Sequence, residues 1–267
     1  MPGLQPFLRW PGGKRLLVSY LLEHLPPTFN CYFEPFLGGA ALFFALKPDR
    51  AVLSDTNRAL IECYAAVRDT PDLVQGQLRR LPNSEDDYYS IRQSRPRKPH
   101  TRAARLIYLS ALAFNGIYRE NRQGDFNVPY GFKTHRRVSE GLDLAGASAA
   151  LHKAQIRCCD FEAALDGARE GDLVYLDPPY TMAHENNGFV KYNSQIFSWD
   201  DQRRLAATAS RLSDRGCHVV ISNAYHQSIR DLYSGFEAHR LDRRSKVAGD
   251  ASARRAVSEY IFTTCHR

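Results

Sequence analysis

From residue 31 onward, apolar and polar positions alternate in a strand-then-helix rhythm. Cys31–Pro35 reads as a short buried strand and Gly38 with Gly39 as a turn. Ala40–Leu46 reads as an apolar helix, Ala51–Asp55 as a second strand and Asn57–Asp69 as an amphipathic helix. This is how a doubly wound α/β sheet begins. The rhythm breaks at Pro71. Residues 71–149 show polar helices, a basic stretch and a Gly/Asn/Pro-rich segment from Asn115 to Gly131, with no clear buried strand, and predict an inserted domain. The rhythm returns with Gln155–Asp160, Phe161–Leu165, Asp172–Asp177, a helix from Trp199 to the region of Arg215, Cys217–Asn223 and a closing strand near Val257–Cys265. The predicted organisation is an α/β domain of residues 1–70 and 150–267 interrupted by residues 71–149, with no internal repeat.

The strand Asp172–Leu176 runs into Asp177, Pro178, Pro179 and Tyr180. Two successive prolines cannot extend a ladder and they stiffen the turn, so the Asp177 carboxyl and the Pro178 carbonyl are projected from the strand's C-terminal end. In open α/β sheets ligands sit at that edge. Two acceptors beside an aromatic face suit an exocyclic amine on a flat heterocycle, with one acceptor for each N–H and a ring to stack on. A strand ending in Asp-Pro is also a common simple turn.

A second candidate site precedes it. Glu34, Phe36, Gly38 and Gly39 form a strand-to-helix turn, where missing side chains let a ligand approach the backbone. Asp55 ends the next strand, where an acid can accept from both hydroxyls of a ribose. Ala40 stands where a dinucleotide site would favour a third glycine, and Glu34 would repel a pyrophosphate but attract an ammonium. Turn and acid together point to an adenosine-containing cofactor without phosphate, such as S-adenosylmethionine. Lys14, after Gly12 and Gly13, could pair with a cofactor carboxylate. Trp10 could cover a sulfonium, flank a base or simply plug the core. Asp160 and Phe161 could meet an adenine, or could be a helix N-cap and a core residue.

Composition narrows the options. At 267 residues with 43% hydrophobic and 24% charged, the chain can bury a full core, and its formal charge of +7 favours an anionic partner. The six cysteines lack Cys-x-x-Cys spacing and any His at zinc-ligand spacing, so they read as reduced, mostly buried thiols, and no metal is expected. No apolar run is long enough for a signal sequence or a bilayer span, which predicts a cytoplasmic protein without membrane contact.

In order along the chain, FLRWPGGK, EPFLGGAALFF, SDTN, the insertion and DPPY resemble the Dam-type adenine-specific DNA methyltransferases, over almost the whole length. The segment Phe114–Arg119 through Gly124–Gly131 is similar to that family's target-recognition hairpin. The resemblance implies a Rossmann-like S-adenosylmethionine-dependent sheet with a mainly helical target-recognition domain in residues 71–149. It implies methyl transfer to the 6-amino group of adenine in double-stranded DNA, at GATC or a related short site. Trp10, Lys14, Asp55 and Asp177 match the family's cofactor contacts, and Asp177–Tyr180 its catalytic turn. Arg119 would read a guanine edge with two donors. Ile117 and Pro129 would meet a thymine methyl, and Arg9 another base. Asn115, Asn121, Asn127 and Lys133 complete the implied DNA-contacting set in this region. Phe132 and Lys133 stand where GATC-reading members carry Arg then Tyr.

Two basic stretches extend the expected DNA surface. Residues 92–105 hold six basic and no acidic residues, and residues 240–255, which include Arg244, Ser245 and Arg254, hold six basic and two acidic. The expected mechanism flips the adenine out of the duplex, stacks it on Tyr180 and holds its amine with Asp177 and the Pro178 carbonyl. A monomer is the simple expectation, with any cognate endonuclease encoded separately. Rival readings are a methyltransferase of another amine (RNA adenine, DNA cytosine or protein glutamine) and a catalytically silent DNA-binding relative. An NAD-dependent oxidoreductase is disfavoured by Ala40 and by the lack of an evident hydride-transfer acid.

Overall fold

The computed structural model describes residues 4–121, 123–133, 137–180, 197–244 and 256–264, without the side chains of 243, 244, 256 and 257. In chain order the elements are α1 (Val18–Glu23), β1 (Tyr32–Glu34), α2 (Ala41–Leu46), β2 (Ala51–Asp55), α3 (Arg58–Asp69), α4 (Pro71–Arg80), α5 (Glu85–Gln93) and α6 (Pro99–Leu112). A 3-10 turn at Phe114–Gly116 follows, then α7 (Leu144–Leu151), β3 (Ala154–Cys158), α8 (Phe161–Leu165), β4 (Leu173–Leu176) and α9 (Trp199–Asp214). The chain continues through β5 (His218–Ala224), α10 (Gln227–Leu232), β6 (Glu237–Arg244) and β7 (Ala256–Thr263). Among the described residues the fold is mixed α/β with seven strands, consistent with a methyltransferase. It divides into two compact units, residues 1–18 with 37–159 and residues 19–36 with 160–267, so residues 71–149 fall wholly within the first.

In the first unit β2 and β3 are parallel, with Asp55 opposite Cys158, so both strands end at one edge. Local chemistry sets the helix starts. The Asn57 side chain accepts from Leu60 N–H, Ser84 from Asp87 and Asp143 from Gly146, while Pro71 and Pro99 open α4 and α6 where a missing N–H costs nothing. The sequence reading of 71–149 as polar helices misses α6, which packs against α3 and α4 and buries every residue from Leu106 to Leu112. Each large apolar side chain buried this way contributes about 1.5–3 kcal/mol.

In the second unit the strand order is β1-β4-β5-β7-β6. β1, β4 and β5 are parallel, and β7 runs antiparallel to both its neighbours. The register decides what gathers at the C-terminal edge of the parallel strands. Leu176 pairs with Ile221, so Asp177 leaves the sheet beside Ser222 and Asn223, and Ala224 pairs with Glu259 of β7. β6 was not among the expected strands. Its sequence, EAHRLDRR, is charged or polar at all but Ala238 and Leu241, and only pairing with β7 makes it extended; such charge suits a sheet edge, where it discourages pairing with another chain.

Cys31, Cys63, Cys158, Cys159 and Cys217 are free thiols; the expectation of mostly buried thiols holds only for Cys63 and Cys217, since Cys31 and Cys159 are half-buried and Cys158 is exposed. No helix among the described residues is long and apolar enough to cross a membrane, and no group of three or more His, Cys, Asp or Glu among them could hold a metal ion.

Candidate active site

In the second unit the turn after β4 is braced from two sides. The Tyr180 hydroxyl donates to Glu259 Oε2 at 2.8 Å, and Glu259, on β7, is completely buried. Gln202 of α9 donates from Nε2 to the Pro179 carbonyl at 3.4 Å, and Asn223 of β5 donates to Gln202 Oε1 at 3.1 Å. Gln202 and Asn223 are also fully buried, so this amide pair is a fixed part of the interior. Below the turn, the Tyr175 and Ser222 hydroxyls share a hydrogen bond of 2.8 Å. Burial raises the Tyr175 and Tyr180 phenols well above their ordinary value, and the nearby Asp177 adds to it. Both phenols therefore stay protonated, and that of Tyr180 donates to Glu259.

Glu34, at the end of β1, is 3% exposed and accepts from the Tyr32 hydroxyl at 3.0 Å. The next aromatic, Phe36, stacks on Phe161 with centroids 5.6 Å apart, and Phe197 meets both rings. The Arg204 guanidinium covers Phe161 at 4.8 Å. Asp160 caps α8 by accepting from Glu162 N–H and also binds Arg204 at 2.9 Å. The N-cap and core reading of Asp160 and Phe161 thus describes what these two side chains do in the fold.

The first unit holds the glycine turn. Gly38 has φ +45°, a backbone that favours glycine, and a Cβ there would lie 3.1 Å from Trp10 Cδ1, which would have to give way. Its N–H donates to Asp55 Oδ2 at 3.3 Å, its carbonyl accepts from the Tyr64 hydroxyl at 2.9 Å, and Asn57 N–H donates to Asp55 Oδ1 at 2.9 Å. Burial raises the Asp55 carboxyl above its ordinary value, partly offset by the N–H groups of Asn57, Gly38 and Thr56. Ala40, in place of a third glycine, takes a left-handed conformation with φ 53°. Trp10 is half-buried and stacks on Tyr118 at 4.3 Å, so it does not plug the core. Lys14 is 7% exposed and donates from Nζ to the Gly12 carbonyl at 3.2 Å.

The segment from Phe114 to Gly131 folds back on itself. Glu120 bridges Phe126, Ala113 bridges Tyr130, and Asn127 N–H donates to the Arg119 carbonyl at 3.1 Å. Arg119 is exposed and donates from Nε to Asn127 Oδ1 at 2.8 Å. Asn121 Oδ1 accepts from Gln123 and Asp125 N–H, both at 2.9 Å, and so shapes the tip. Pro129 and Asn115 are exposed, Ile117 is half-buried, and the exposed Arg9 lies over Gly116, its Cδ 3.4 Å from where a Cβ there would stand. Lys133 points elsewhere: its ammonium donates to the Ala111 and Ala113 carbonyls and caps the end of α6.

Much of the first basic stretch is engaged by the protein's own groups, partly at the surface. Arg105 donates to the Ile91 and Arg92 carbonyls, Arg92 to the Val128 carbonyl, Arg95 pairs with Asp125 and Arg102 with Glu62. Exposed Arg97 and Lys98 form no ion pair among the described residues. Ser245, Arg254 and the side chain of Arg244 lie outside the described residues.

Sequence reasoning missed Gln202, Asn223 and Glu259. An acid in an alternating strand and an amide in a charged helix both read as solvent-facing; the pairing of β7 on both sides shows otherwise for Glu259, and the packing of α9 on β5 for Gln202.

Residues 10–247 match the family model of D12 class N6 adenine-specific DNA methyltransferases. The type II methyltransferase M1.LlaDCHI of Lactococcus lactis subsp. cremoris is 35% identical over 270 residues, covering 97% of this chain and 95% of that protein. The type II methyltransferase M.MjaIII of Methanocaldococcus jannaschii is 31% identical, covering 89% and 91%. The DNA adenine methylase of Escherichia coli K12 is 30% identical, covering 96% and 93%. With nearly the whole chain matched and the Asp177–Tyr180 turn intact, the protein belongs to the D12 class N6 adenine-specific DNA methyltransferases.

Proposed function

We propose that this methyltransferase modifies the 6-amino group of adenine at GATC or a related short site in double-stranded DNA, on a base turned out of the helix, with S-adenosylmethionine as cofactor. The observation that carries the reading is the Asp177–Tyr180 turn, braced by Gln202 and Glu259 at the strand edge. The chemistry of the residues suits the cofactor: Glu34, a buried acid, would hold its ammonium, Asp55 its ribose hydroxyls, Phe36 and Phe161 would offer aromatic faces, and the Gly38–Gly39 turn would allow a close backbone approach. Trp10, Lys14, Gly39 and Asp160 complete the proposed cofactor contacts. The bound cofactor supplies an electrophilic methyl group on a sulfonium.

The chain's own residues do the rest. Adenine's amine is a weak nucleophile because its lone pair is delocalised into the ring. Asp177 and the Pro178 carbonyl accept its two N–H bonds, localise the lone pair and stabilise the positive charge that grows on nitrogen. The Asp177 carboxylate would take up the proton that the product amine sheds. Tyr180 stacks on the extruded ring, which repays part of the unstacking cost. Arg119, steadied by Asn127, reads a guanine edge, with Ile117, Pro129 and Arg9 beside it and Asn115 and Asn121 shaping the hairpin. Arg97, Lys98, Arg244, Ser245 and Arg254 contact phosphates. The enzyme acts as a monomer, and a cognate endonuclease is a separate chain.

The test is transfer of labelled methyl from S-adenosylmethionine to unmethylated plasmid DNA, followed by sequencing that locates modified adenines. Label at adenine in one short motif is expected. Label confined to RNA or protein would overturn the substrate, and adenine label at a motif unrelated to GATC would overturn the site.

A further inference from the structure

The reading of Tyr180 as the stacking ring leaves unexplained why its hydroxyl is tied to a buried acid. Glu259 lies on β7, hydrogen-bonded to a strand on either side, and has no exposed surface. An acid is costly to bury unless specific partners hold it, so its place in the interior calls for a role. Its register opposite Ala224 brings it to the edge where β4 ends, and its Oε2 accepts the Tyr180 hydroxyl at 2.8 Å.

We propose that Glu259 is a positioning residue for methyl transfer: by holding the Tyr180 hydroxyl it presets the ring against which the extruded adenine stacks. The backbone end of Tyr180 is already constrained. Pro178 and Pro179 have fixed φ, and the Pro179 carbonyl takes the Gln202 amide, itself oriented by Asn223. A phenol held at both ends offers its face in one orientation before the base arrives, so less freedom is lost on binding and the amine meets Asp177 in a reactive geometry. The role needs a hydrogen-bond acceptor at 259, which an amide oxygen also provides.

The test compares Glu259→Gln, Glu259→Ala and Tyr180→Phe in the full chain. It measures single-turnover methyl transfer, cofactor affinity and the fluorescence of 2-aminopurine placed at the target adenine. Glu259→Gln, which keeps an acceptor, should stay within about threefold of the parent rate. Glu259→Ala and Tyr180→Phe should each lose about tenfold or more in rate and part of the fluorescence rise, with cofactor affinity unchanged. The double variant Glu259→Ala with Tyr180→Phe should be no slower than the slower single one, since both remove the same contact. Should Glu259→Ala fail to fold, the pair Glu259→Gln and Tyr180→Phe decides alone. Rate kept in the first and lost in the second supports the role, and equal retention or equal loss overturns it. Parent enzyme that methylates adenine without a fluorescence rise would instead overturn the extruded-base reading, and this role with it.

Discussion

Arg119 and Asn127 face each other across the hairpin, with the guanidinium Nε–H on the amide oxygen at 2.8 Å. That contact occupies one donor and leaves the terminal nitrogens to form a fork, the geometry that reads a guanine O6 and N7. Asn127→Ala should leave Arg119 charged but unaimed. Methylation of the preferred site should fall less than discrimination against single-base variants of it, whereas Arg119→Ala should cost about 1–3 kcal/mol at the guanine it reads. Rates on a panel of singly substituted duplexes check both, and unchanged discrimination in both variants would remove the pair from sequence reading.

Asp177 leaves β4 at the sheet edge beside the braced turn. Asp177→Ala should lower single-turnover methyl transfer at least about a hundredfold while DNA binding survives, because it deletes a preorganised acceptor. Gel-shift affinity measured alongside the rate separates the two effects. Near-normal transfer would end the assignment of Asp177 as the amine's acceptor.

Gly38 combines a positive φ with a Trp10 ring atom 3.1 Å from where a Cβ would stand. Gly38→Ala should destabilise the protein by about 1 kcal/mol or more from backbone strain alone and should also shift Trp10. A lower unfolding midpoint with weaker cofactor binding is expected. Gly76→Ala is the internal control, since its added Cβ would meet nothing within 4 Å and its helical position favours alanine.

Asp55 gives a pH dependence with a definite sign. Burial holds its folded-state carboxyl above the ordinary 3.8, so the folded protein keeps that proton to higher pH than the unfolded chain. Its contribution to stability therefore declines as pH rises from the unfolded value through the raised one. Ligand binding runs the other way. A ribose needs the ionised acceptor, so cofactor affinity should fall as pH drops through the raised value, and Asp55→Asn should flatten that part of the curve. Calorimetric titration from neutral pH downward would show it, and an identical pH profile in the variant would exclude Asp55 as the titrating group.

The elements that position the site were legible where one residue type dictates geometry. Pro178 and Pro179 end β4 where the sequence said they would, and Asn57 starts α3 by capping it. The basic stretch at 92–105 was legible as charge but not as surface, because a guanidinium that donates to the Ile91 carbonyl looks the same in a sequence as one awaiting a phosphate. β6 and the burial of Glu259 were not legible. Both follow from long-range pairing with β7, which no local pattern records.

The hairpin's two ends are tied differently from its tip. At the base, Gly131 N–H donates to the Leu112 carbonyl, Phe114 N–H to the Pro129 carbonyl, and a Cβ on Gly131 would come within 2.8 Å of two carbonyl oxygens of that helix end. At the tip, Arg119, Asn121 and Gln123 are exposed and held by one another's neighbours rather than by the core. If the hairpin reads DNA as proposed, exchange of tip residues would alter which sequence is read without disturbing the anchorage on α6. The hairpin would in this sense be a replaceable cassette, its specificity free to change while the Asp177–Tyr180 turn and its braces stay as they are.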